Sequence, residues 1–310
     1  MSEAILLRLA LLLYLAGTVC GGLSLVNPRD SMRRATSFSL AAGFLLQGAA
    51  IIARSFEVGI IAVATLADQG ALFACLLVGV YLLAQLRYRL AVLGAMVGPI
   101  GFVGALVALV AHGGAQGVPP LLKSPWLPVH VTLAFLGNAA FALAFLVSLV
   151  YLWQEKQLKS HSIGQMTRRM PPLETLDNVN FKFLGWGFVL LTMSIVSGVL
   201  WAELSFGRMW SWEPRTMWTT IIWVLYAILL HGRVTVGWGG RRAAALTIVG
   251  FGVLFVAFIG VNVLAPGRHA EIYPWITFEK TLELVTERLD DIVADRPERA
   301  CYNVLLLDVQ

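Results

Sequence analysis

Eight apolar runs, at about 4–26, 35–54, 66–86, 91–111, 128–153, 180–202, 216–232 and 243–264, dominate this chain. At about 1.5 Å of rise per residue, each can cross about 30 Å of hydrocarbon as a helix. Inside a bilayer the backbone must satisfy its own hydrogen bonds, so runs of this kind fold as helices. The composition agrees. Hydrophobic residues make up 58% of the chain and charged ones 13%, with a mean hydropathy of +0.77, whereas a soluble domain carries about 25% charge. The fold class expected is therefore all-α, a polytopic integral membrane bundle of about eight helices. The third span is the least sharply bounded. The preceding stretch 55–68 is apolar but holds Glu57 and Asp68, as a half-buried surface segment would. The first run has no basic segment before it and no cleavage site after it, which predicts a retained span rather than a signal peptide.

Charge between the runs orients the bundle. The links after the first, third, fifth and seventh runs carry Arg29, Arg33, Arg34, Arg87, Arg89, Lys156, Lys159, Arg168, Arg169, Lys182, Arg233, Arg241 and Arg242. The alternate links carry only Arg54, Lys123, Arg208 and Arg215. The positive-inside rule puts the first set in the cytoplasm and both termini outside. A formal charge of +5 distributed in this way is an orientation signal and does not imply nucleic acid as a partner. Cys20, Cys75 and Cys301 are far apart with no CxxC, so neither a thiol-redox motif nor a cysteine zinc site is indicated.

The stretch 201–223, WAELSFGRMWSWEPRTMWTTIIW, lies between two spans and faces outward in this topology. It holds Trp210, Trp212, Trp218 and Trp223 with Arg208, Arg215, Glu203 and Glu213. Tryptophan favours the membrane interface, and an interfacial belt accounts for one or two of these. Four at such spacing form an aromatic surface suited to a flat ligand.

Two histidines share that face. His130 lies at the outer start of the fifth span, behind Trp126 and Pro128, and His269 follows the eighth. Neutral imidazoles on opposite faces of a haem complete a six-coordinate iron; two unrelated interfacial histidines are the plainer alternative. His231 is about fifteen residues below Thr216, or about 22 Å, too far to join them. An ionisable group in the inner half of a span marks a candidate second site, although the adjacent Arg233 also fits an inner-interface position. His112 and His161 sit in links without aromatic context and read as solvated.

Together these residues resemble the cytochrome c assembly family of haem-handling membrane proteins, which includes the CcsA, ResC and HemX types. Its tryptophan-rich outer loop, the WWD domain, is close to WGxYWxWDPKExW, followed by LHxR, GWxGrrAA, a GVNxL helix and GxHSY. This chain has FGRMWSWEPRTMW, LLHGR, GWGGRRAAA, GFGVLFVAFIGVNVL and GRHAEIY, with PPLETLDNVNFKFLGWGF and WLPVHV upstream. The likeness is strong over about 125–270 and rests on topology alone before that. Glu213 stands for the usual aspartate, Arg215 for lysine and Thr216 for glutamate; Phe206 and Met209 also depart from the pattern.

The resemblance implies that His130 and His269 bind an outer haem iron and that His231 is a membrane haem ligand. The cofactor handled would be haem b. Trp210, Trp212 and Trp218 would form the aromatic platform, with Arg208, Arg215 and Arg268 available to propionates. The implied partners are haem, an apocytochrome c and a membrane subunit of the CcsB/ResB type. The implied location is a bacterial inner membrane or a plastid-type membrane, and a place in a cytochrome c synthase (haem lyase) system follows. The corresponding division is 1–125 for N-terminal spans, 126–270 for a haem-handling core with loop 201–223, and 271–310 for an acidic tail. Apolar residues at three- and four-residue steps predict an amphipathic helix over 277–295, lying on the bundle or on a partner. Other readings are a HemX-like regulator of haem biosynthesis, favoured by Glu213 and Thr216, a structural subunit of a membrane complex, and a small-solute transporter using Gln47, Gln69, Asn138 and Thr192.

Overall fold

The computed structural model describes residues 3–27, 29–59, 63, 65–88, 90–111, 124, 126–160, 170–207, 212 and 214–264. Among them are eight helices: α1 (Glu3–Val26), α2 (Asp30–Val58), α3 (Leu66–Tyr88), α4 (Ala91–Val110), α5 (Trp126–Lys159), α6 (Leu173–Phe206), α7 (Pro214–Thr235) and α8 (Gly240–Leu264). All eight are long and apolar enough to cross a membrane, and the described residues contain no strand. The expected helical membrane bundle is therefore the fold found. The expected amphipathic helix over 277–295 lies outside the described residues.

Several helices run longer than their apolar runs because polar end residues find partners. α5 continues to Lys159, whose ammonium meets Glu155 one turn earlier at 2.6 Å, and Gln154 Nε2 donates to the Pro171 carbonyl at 3.1 Å. Residues 154–159 and 173–179, which lie between the fifth and sixth apolar runs, are therefore helical. Of the stretch read as a possible surface segment, residues 55–58 are the last turn of α2, which ends where Gly59 takes φ +76° and donates to Ser55 O at 2.9 Å, and residues 66–68 open α3. Asp68 then starts α3: it accepts from the Thr65 N–H at 3.1 Å, while its own N–H donates to Thr65 Oγ1 at 3.0 Å. Asp68 also lies 3.9 Å from the buried Arg54 guanidinium.

α1 packs on α2 and α4, and α3 packs on α4. α5 is the most buried span; it packs most extensively on α6 and also touches α8 and α3, joining the two halves. Several polar side chains inside the bundle bond between or along helices, because hydrocarbon offers them no other partner. Tyr14 donates to Gln47 Oε1 at 2.7 Å, and Gln47 Nε2 donates to Ala71 O at 3.1 Å, linking α1, α2 and α3. Asn180 Nδ2 joins α6 to α5 through Ala144 O at 3.0 Å and Ser148 Oγ at 2.8 Å.

The α5–α6 crossing depends on two glycines. A Cβ on Gly137 would lie 3.2 Å from the Gly187 carbonyl, and one on Gly187 would lie 2.7 Å from Phe141 Cε1. Phe141 in turn stacks on the fully buried Tyr226 of α7 at a centroid distance of 3.7 Å. Gly187→Leu should therefore push α5 and α6 apart and cost about 1–3 kcal/mol. Unfolding of the purified protein in detergent measures this; an unchanged midpoint would mean that the crossing has room to spare.

Candidate functional site

Two residues set the connection between α6 and α7. Gly207, at φ +64°, ends α6 and donates to Glu203 O at 2.9 Å. Pro214 opens α7, where its fixed φ suits a first helical turn and its missing N–H is not needed. The tryptophan-rich stretch is therefore helical up to Phe206 and again from Pro214, and the tryptophans divide by role. Trp201 is buried in the last turns of α6. Trp212 in the connection is 79% exposed, and Trp218 on α7 is partly exposed. Trp223 serves the bundle: its Nε1 donates to Thr192 Oγ1 at 2.9 Å, and its ring stacks on Phe188 at 5.3 Å, tying α7 to α6. Arg215 lies in the first turn of α7. Trp210 and Arg208 fall outside the described residues, as do Arg268 and His269.

His130 projects from the first turns of α5 onto α6, at the same end of the bundle as Trp212. Its Nδ1 is 2.8 Å from the Ser194 carbonyl oxygen, and Ser194 Oγ donates back to the His130 carbonyl at 3.2 Å. A carbonyl only accepts, so Nδ1 carries a hydrogen, and in the neutral ring the lone pair then belongs to Nε2. Imidazoles that bind metal are commonly arranged this way, with the second ring nitrogen donating to a carbonyl. Gly198 makes room for the ring, since a Cβ there would lie 2.7 Å from His130 Cε1. The imidazole is thus half-buried and fixed in both orientation and tautomer.

His231 lies toward the opposite end of α7, about 25 Å of helix rise from Pro214. Its side chain is exposed on the surface of the described bundle, so whatever it meets approaches from outside the helix packing. His130 and His231 are therefore not brought together, as their positions in the sequence predict. Among the described residues no three histidines, cysteines or carboxylates gather as a metal-binding group.

Near His231 is an ion pair that the sequence reading did not anticipate. Arg233 Nη1 and Nη2 bond both Asp177 carboxylate oxygens at 3.0 and 2.9 Å, and Nη2 also donates to the Asp177 carbonyl at 3.0 Å. The Gly240 N–H donates to Asp177 Oδ1 at 3.0 Å. Phe181 lies under the guanidinium at 5.1 Å, and Tyr151 sits against Gly240. One carboxylate on α6 thus fixes the end of α7 and the start of α8. The turn between them uses Gly237 and Gly240 at φ +74° and +60° and folds the Trp238 indole onto Gly232, where a Cβ would clash with the ring. LETLDN, LLHGR and GWGGRR, which look like separate motifs in sequence, meet here. The available signal was an aspartate and an arginine each at the end of an apolar run.

Between α7 and α8 runs an apolar groove of about 640 Å³, lined from Trp212 and Met217 at one end to Leu229 and Trp238 at the other. It spans most of the distance between the aromatic connection and the His231 end.

These features define a multi-pass helical membrane protein with its distinctive polar and aromatic groups at the two ends of the bundle. Residues 10–269 match the family described as "Cytochrome C assembly protein", and the chain belongs to that family. Similar curated proteins include the cytochrome c biogenesis protein CcsA of Microcystis aeruginosa, 30% identical over 319 residues, covering 87% of this chain and 95% of that one. CcsA of Synechococcus elongatus is 31% identical over 283 residues, covering 76% and 86%. CcsA of Mesostigma viride is 34% identical over 209 residues, covering 57% and 68%. Among solved structures, the cytochrome c haem lyase CcmF shares the fold, with a TM-score of 0.60 at 18% identity over 93% of this chain. The alignment spans 52% of CcmF, so this chain matches about half of that longer protein.

Asp177→Ala should leave the Arg233 guanidinium, whose side chain is 7% exposed, without its carboxylate. The expected loss is about 3 kcal/mol of stability. Limited proteolysis at the α7–α8 turn, compared with wild type, reports it; unaltered cleavage would show the pair to be dispensable.

Proposed function

We propose that this protein handles haem during cytochrome c maturation, holding haem at the end of the bundle that bears Trp212 and His130. The observation that carries this is the His130 Nδ1 hydrogen bond to Ser194 O at 2.8 Å, which holds the ring in the manner common among metal-binding imidazoles. Family membership supports the same reading, as do the CcsA relatives, named for cytochrome c biogenesis. His269 is proposed as the second axial ligand, with Trp210, Trp212 and Trp218 as the aromatic platform and Arg208, Arg215 and Arg268 as propionate donors. Residues 126–270 are the haem-handling core in this reading. His231 is proposed as a separate haem ligand toward the other end, and the α7–α8 groove provides an apolar surface between the two.

The group handled is proposed to be haem b, whose vinyl carbons take the thiols of an apocytochrome CxxCH motif. This chain's part is to bind, orient and shield it. Two imidazoles leave no open iron position, which suits a carrier. A membrane subunit of the CcsB/ResB type is the proposed partner. The charge asymmetry of the links supports a topology with both termini and the tryptophan connection outside the cytoplasm. A transporter finds less support: Gln47 and Thr192, two of its candidate polar groups, bond within the bundle. Glu213 and Thr216 keep a HemX-like regulatory role as the second reading.

The visible spectrum of purified protein tests the ligand assignment. Wild type should show a low-spin, bis-imidazole haem. His130→Ala and His269→Ala should each give a five-coordinate spectrum that added imidazole restores, while His231→Ala should lower total haem without rescue. Wild-type spectra and haem content in both outer variants would return the tryptophans to an interfacial belt. Cysteine labelling at position 205 tests the topology: reaction from outside intact cells is expected, and reaction only after permeabilisation would reverse it.

A further inference from the structure

The groove between α7 and α8 changes character at its Trp238 end. On α7 its wall includes Val224 and Ile228. His231 follows three residues after Ile228 and seven after Val224, so helical periodicity continues that wall with an imidazole. On α8 the wall includes Val249 and Leu246. Arg242 precedes Leu246 by four residues and Val249 by seven, so the second wall continues with a guanidinium. α7 and α8 are joined by the short turn at 236–239, so both continuations fall at the same end. Trp238 lines the groove there, and the Arg242 guanidinium lies over its ring at 5.7 Å.

The cations at this end are not equivalent. Arg233 is bound on two nitrogens by Asp177, with its side chain almost wholly buried. Arg241 and Arg242 are exposed, and neither forms an ion pair among the described residues. An apolar slot of about 640 Å³ is within the range of small-molecule sites. One whose walls continue into an indole with a guanidinium seated on it and an imidazole complements a flat apolar body with an acidic edge.

We infer that Arg242, seated on Trp238 at the His231 end of the α7–α8 groove, binds a carboxylate of the metalloporphyrin that occupies the groove, while Arg233 is withheld from it by Asp177. This rests on the haem reading proposed above. It adds a determinant for the acidic edge of the macrocycle, distinct from the arginines proposed at the other end. Trp238 holds the guanidinium over a ring face, where a delocalised cation is favoured, and the planar fork matches a carboxylate better than an ammonium does.

The full chain, purified in detergent, is titrated with haemin and with haemin dimethyl ester, following the Soret band. The background carries His130→Ala and His269→Ala, so that the His231 end is read. The free acid should bind about tenfold more tightly than the ester, as expected for one charge-assisted contact. Arg242→Ala should remove that preference by weakening haemin alone, Arg242→Lys should restore part of it, and Arg233→Lys should leave it in place. An Arg242→Ala variant that keeps the preference, or that weakens both porphyrins equally, overturns the assignment while leaving haem binding intact. Failure of either porphyrin to bind in the wild-type protein as well would instead overturn the haem reading on which it rests.

Discussion

Hydrocarbon offers no hydrogen bonds, and that exclusion governs this molecule. It requires each span to satisfy its own backbone, which makes the described spans helical. It also requires interior polar side chains to pair within the bundle, as Tyr14 with Gln47 and Asn180 with Ser148 do. Interior polar groups are therefore largely committed to structure. The described histidines and the exposed arginines beside Trp238 lie toward the ends, with His130 and Trp212 at one and His231, Trp238 and Arg242 at the other.

The spans were legible because apolar length is read directly from sequence. Their ends were less so, because they depend on contacts between distant residues. α5 and α6 outrun their apolar cores through Lys159 with Glu155 and Gln154 with Pro171. The tryptophan-rich stretch shows the same limit. Its spacing suggested a single aromatic loop, yet Trp201 and Trp223 belong to helices that pack on one another's neighbours, and Trp223 is spent on Thr192. A tryptophan that anchors a helix and one that faces a ligand look alike until the packing is known.

The candidate site was legible in its residues and not in its supports. His130 and His231 were picked out by chemistry and position, and their separation followed from helix rise. The carbonyl of Ser194, the gap left by Gly198 and the carboxylate of Asp177 are 56 to 68 residues away from the groups they orient, and they carry no local pattern of their own. Motif strings gave the same kind of partial view. LETLDN, LLHGR and GWGGRR each read as a separate signature, but the Asp177–Arg233 pair gives them a common purpose, which is to set the turn that carries Trp238.

That pair also imposes an order on assembly. Asp177 precedes Arg233 by 56 residues and Gly240 by 63, so at about 5–20 residues per second the aspartate waits about 3–13 s for its partners during synthesis. Through that interval its carboxylate lacks the Arg233 and Gly240 donors, because they have not yet been made. The ion pair closes once α7 has crossed and the start of α8 has emerged. The last helices of the bundle are thus fastened to an anchor laid down before them, and a chain stalled after α6 retains an unclaimed charge at its end.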